Sequence, residues 1–111
     1  MNMKSKLCAV LLCTTITAHA EFLTGNKLLQ LTQGSEQEQT FALGYVAGSF
    51  DAGMGTNHCP PSNVTTKQVL DMTKLLLERA PQHREKSADS FVLAITKAAW
   101  PCKTQQSGKQ V

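Results

Sequence analysis

The sequence predicts an all-α domain, a small bundle of about four helices. Three observations carry this. Apolar residues recur at helical spacing in successive segments. Two capping boxes mark helix starts, Ser35-x-x-Glu38 and Thr65-x-x-Gln68. No stretch alternates apolar and polar residues as a half-buried strand does.

The first helix is expected at about 25–32. Thr24 can cap it, Leu28, Leu29 and Leu31 supply its apolar contacts, and Gln33-Gly34 ends it. The second is expected from the Ser35 box to about Met54, with Phe41, Tyr45, Val46 and Phe50 as its large apolar residues. Along it Gly44, Gly48 and Ala52 fall at intervals of four. Small residues one turn apart let a second helix approach closely, either inside the fold or across a subunit interface. A loop follows, marked by Gly53, Gly55, Pro60 and Pro61.

The third helix begins near Thr65 and has a broad apolar face of Val69, Leu70, Met72, Leu76 and Leu77, with Lys67, Asp71, Lys74 and Glu78 opposite. Pro81 stops it. Residues 81–86 read as a connecting turn or as the first turn of another helix. Ala88, Phe91, Val92, Ile95 and Ala99 then define the last amphipathic helix, closed by Trp100-Pro101-Cys102. The polar tail from Lys103 to Val111 is expected to be disordered.

The N-terminus reads as an export signal. Lys4 and Lys6 form a basic region, an apolar run follows from Leu7, and Ala18-His19-Ala20 offers small residues for cleavage after Ala20. The run is too short for a membrane anchor. Leucine precedes Cys13, which argues against a lipoprotein cysteine. Removal of residues 1–20 takes Lys4 and Lys6 away, so the net charge falls from +3 to about +1, with nine basic and eight acidic residues. No basic stripe remains for a nucleic acid.

Cys8 and Cys13 leave with the signal, so Cys59 and Cys102 are the remaining pair. In an exported chain they are expected to form a disulfide. A metal site of His58, Cys59, His83 and Cys102 lacks ligand spacing. A Cys59/His83 nucleophile pair needs a free thiol and has no accompanying oxyanion element. No cofactor motif is present, and nothing argues for catalysis. His58 and His83 read as solvated loop residues, Asp51 as a helix-end carboxylate, and Tyr45 and Trp100 as core. Asn63-Val64-Thr65 matches a glycosylation tripeptide that is common by chance.

Four ordered segments go further. Tyr45-Val46-Ala47-Gly48-Ser49-Phe50-Asp51-Ala52 is similar to a Y-V-x-G-x-x-D-A helix segment. Cys59-Pro60-Pro61 with Val64-Thr65 and Gln68-Val69 is similar to a C-x-P…V-T-x-x-Q-L segment. Leu76, Pro81, His83 and Ala88 resemble the stretch after it, and Ala98-Ala99-Trp100-Pro101-Cys102 resembles a closing A-(aromatic)-P-C. Together, over about residues 23–102, they resemble the Rap/Tai family of periplasmic immunity proteins. Many members carry a further cysteine pair, where this chain has 28–32 and 40–43 without cysteine.

The resemblance implies a non-catalytic helical protein over 21–102, often a homodimer, located in the periplasm. It would neutralise a peptidoglycan amidase effector delivered by type VI secretion. Family contact residues do not fall on matched positions. The polar loops are the expected partner surface: Asn57 and His58, or Gln82, His83, Arg84 and Glu85. The alternative is a small periplasmic stress chaperone of the single-disulfide helical kind, and a third possibility is a small exported hydrolase.

Overall fold

The computed structural model describes residues 22–103. The expected signal peptide, residues 1–20, and the tail beyond Lys103 lie outside the described residues. Four helices follow in order: α1 (Gly25–Thr32), α2 (Glu36–Ala52), α3 (Thr66–Arg79) and α4 (Ala88–Ala99), with a single 3-10 turn at Pro81–His83 between α3 and α4. Among the described residues there is no strand, only two isolated bridges, Thr24 with Ser87 and Met54 with His58. No described helix is long and apolar enough to cross a membrane.

The helix starts are those the sequence marks. Thr24 Oγ1 accepts from the Lys27 N–H. In both capping boxes the cap hydroxyl accepts from the third residue's N–H, and that residue's side chain accepts from the cap N–H: Ser35 with Glu38, Thr65 with Gln68. Each box satisfies two donors that a helix start leaves open. Residues 81–86 form the connecting turn, so α4 begins at Ala88.

Every helix touches the other three. The core joins Leu28, Leu29 and Leu31 of α1, Ala42, Val46 and Phe50 of α2, Val69, Leu70 and Leu77 of α3, and Ala88, Phe91 and Val92 of α4. The α1–α4 approach is close. A Cβ on Gly25 would stand 2.9 Å from Phe91 Cε2 and 2.8 Å from Leu77 Cδ2, so only glycine fits there.

The structure separates an inward from an outward side of α2. Phe41 does not enter the core but is 57% exposed. The small residues Gly44, Gly48 and Ala52 also face outward, and a Cβ at either glycine would meet nothing within 4 Å. The reason is α2's periodicity: Ala42, Val46 and Phe50 repeat every four residues and take the buried side, which leaves Gly44 and Gly48 opposite. Among the described residues no helix packs on the small-residue stripe.

Candidate functional site

The two polar segments singled out in the sequence lie at different ends of α4. Asn57 and His58 bond to its second half, while residues 82–86 precede its first turn. With α4 about 18 Å long, they do not form one surface.

The loop after α2 turns inward. His58 is 0% exposed, which corrects its reading as a solvated residue and closes its side chain to a partner. Its ring stacks on Phe50, and its Nε2 lies 2.7 Å from the Phe50 carbonyl oxygen. Its Nδ1 lies 2.8 Å from Thr96 Oγ1 and 3.0 Å from Asn57 Nδ2. Asn57 Nδ2 also donates to the Leu93 carbonyl at 2.9 Å. Gly53 makes room for this arrangement, since a Cβ there would stand 2.7 Å from His58 Cε1.

The next residue carries the staple. Cys59 is disulfide-bonded to Cys102, 43 positions away, with Cα atoms 4.9 Å apart. The Cys59 N–H donates to the Trp100 carbonyl at 2.8 Å. The bond therefore ties the loop to the end of α4, as the sequence reading expects. It leaves no free thiol at Cys59 for nucleophilic chemistry. Among the described residues no group of His, Cys, Asp and Glu is arranged to hold a metal ion.

The turn between α3 and α4 is the exposed polar element. Gln82, His83, Glu85 and Lys86 face solvent, and Arg84 is half-buried. Its backbone is fixed against α1: the Gly25 N–H donates to the Lys86 carbonyl at 2.9 Å, and the Asn26 N–H to the Arg84 carbonyl at 2.8 Å. These carbonyls satisfy two open donors of the α1 start. The turn is thus held from both sides while its side chains remain available. Arg84 Nε is buried without an acceptor among the described residues.

Two features escaped the sequence reading. One is Thr96, whose hydroxyl is a buried partner of His58; a lone threonine on the apolar stripe of α4 was its signal. The other is a groove of about 170 Å³ between α3 and α4, lined by Met72, Leu75, Leu76, Arg79 and Ile95. Its signal was an apolar face on α3 wider than one helix contact can cover.

Tyr45, on α2, is half-buried and faces the start of α4. Burial pushes its phenol above its ordinary value of 10.0, and the nearby Asp89 carboxylate adds to the rise; hydrogen bonding from the Asp89 backbone, Ser49 and Ser87 opposes it.

No curated protein matches the chain. The family model of the Rap1a immunity proteins matches it over residues 24–102, a span that holds all four helices and both disulfide cysteines. The chain belongs to the Rap1a immunity protein family.

Proposed function

We propose that this chain is exported, loses residues 1–20, and as a periplasmic protein binds and inhibits a peptidoglycan amidase effector delivered by type VI secretion. It would act by binding alone, without a cofactor and without catalysis, and so protect the cell that makes it. The observation that carries this reading is the family match across the whole helical domain. The exposed turn Gln82, His83, Arg84 and Glu85 supports it, because its backbone is anchored to α1 before any partner arrives. A surface ordered in advance loses less entropy on binding. The outward stripe of Gly44, Gly48 and Ala52 supports a homodimer in which two α2 helices approach closely.

The test is co-expression with exported peptidoglycan amidases, one at a time, with lysis and complex formation on gel filtration as readouts. Protection by this chain together with a stable complex is the expected result for the cognate enzyme. Lysis unchanged by the chain across the panel, with no complex, would overturn the reading. Mass spectrometry of the exported chain should show Glu21 at the N-terminus and a mass two hydrogens below the dithiol.

A further inference from the structure

The groove between α3 and α4 is lined by Arg79, and the exposed turn follows that residue in sequence after Ala80. The groove's apolar part is Met72, Leu75, Leu76 and Ile95, and Leu75 is 47% exposed although it lies beside buried neighbours. Arg79 stands at one end of the groove and is the last residue of α3. The chain then runs directly into the exposed turn, adding Arg84 and Lys86 against Glu85 alone. Residues 78–86 thus carry three cations, Arg79, Arg84 and Lys86, against two anions, Glu78 and Glu85. Among the described residues the ion pair is Lys67 with Asp71, on the same i, i+4 row of α3 as Leu75 and Arg79 but two turns before Arg79, so neither Arg79 nor Arg84 is ion-paired there.

An apolar centre bordered by charged and polar groups is the anatomy of a protein-binding surface. The charge decides what fits it. A partner segment must bring apolar side chains for the groove and carboxylates for its cationic end. We infer that this surface docks an amphipathic, acidic segment of the effector, with an apolar anchor seated between Leu75 and Ile95 and a carboxylate paired with Arg79. This rests on the immunity reading and adds to it the place and chemistry of the contact.

The experiment has two arms. In the first, the mature protein and its Leu75→Asp, Arg79→Glu and Ser62→Asp variants are titrated against the amidase from which the chain protects, with thermal melts to confirm folding. Leu75→Asp and Arg79→Glu are expected to weaken binding by about tenfold or more, and Ser62→Asp to leave it unchanged. In the second, an amphipathic helical peptide of leucine and glutamate is titrated into the isotopically labelled protein, with its leucine–lysine counterpart as control. Amide shifts are expected at residues 72–79, 82–86 and 95 with the acidic peptide and not with the basic one.

Equal binding by wild type, Leu75→Asp and Arg79→Glu would overturn the docking surface while leaving the immunity reading intact. Dimer dissociation by Leu75→Asp without loss of amidase binding would assign the groove to a second copy and overturn it as well. If no amidase binds the wild type, the immunity reading fails, and the peptide arm then decides the surface: shifts elsewhere, or equal shifts with both peptides, overturn it.

Discussion

His58 Nε2 donates to the carbonyl oxygen of Phe50 at 2.7 Å while the two rings lie 5° from parallel with centroids 4.8 Å apart. A carbonyl only accepts, so Nε2 carries the proton and Nδ1 is the acceptor, facing Thr96 and Asn57. One side chain thereby closes the end of α2, the loop after it and the second half of α4. Replacing it by alanine opens a cavity and takes the donor away from the Phe50 carbonyl, while Asn57 and Thr96 keep the Leu93 and Val92 carbonyls as acceptors. His58→Ala is expected to cost about 3 kcal/mol, whereas His83→Ala, on the exposed turn, should stay within about 0.5 kcal/mol. Urea unfolding of both variants checks the contrast. Equal small losses would show that the buried network contributes little.

The same corner holds the disulfide. Closing a loop of 43 residues limits the unfolded chain, and the chain-entropy estimate is on the order of 4 kcal/mol. Cys59→Ser and Cys102→Ser should each lose about that much. The double variant should lose no more than either single one, because one bond is removed in all three. Additive losses in the double variant would mean that the side chains act through packing rather than as a staple.

Tyr45 is the chain's sole tyrosine, so ultraviolet absorbance reports its ionisation without overlap. Its phenol titrates above 10.0 in the folded protein, from burial first and the Asp89 carboxylate second. The folded state therefore holds this proton more tightly than the unfolded state does. Its contribution to stability is complete below about pH 10 and is lost as pH rises through the folded value. Asp89→Asn is expected to lower the titration midpoint of Tyr45. A midpoint unmoved by Asp89→Asn would remove the carboxylate as a cause.

Helix starts were legible in the sequence because their chemistry is local: each capping box involves residues three apart. The Cys59–Cys102 pairing was legible because the expected export signal holds Cys8 and Cys13, and two thiols remain outside it. The position of His58 was not, since its partners Phe50 and Thr96 are 8 and 38 positions away and sequence spacing gives no sign of them. The side that Phe41 takes was not legible for a related reason. Its residue type favours burial, but Ala42, Val46 and Phe50 had already taken the inward side of α2. The candidate turn 82–85 was legible as a polar stretch after Pro81; that its carbonyls cap α1 depends on long-range packing.

The glycines of α2 and its end make opposite demands. At Gly48 a Cβ enters open space in the middle of a helix. Gly48→Ala should therefore stabilise the isolated domain by about 0.5–1 kcal/mol, through helix propensity and a less flexible unfolded chain. At Gly53 a Cβ would press on His58 at 2.7 Å and on Leu93 Cδ2 at 3.0 Å. Gly53→Ala should instead destabilise by about 1–3 kcal/mol, because the ring it meets is fixed on both sides. Thermal melts at low protein concentration measure both effects. If the outward stripe is a dimer contact, Gly48→Ala should raise the monomer's melting temperature and at the same time weaken self-association in sedimentation, since the added methyl groups would stand where the two helices meet. Unchanged self-association in Gly48→Ala and in a bulkier Gly48→Leu variant would leave the stripe as an uncovered helix face and end the case for dimerisation through α2.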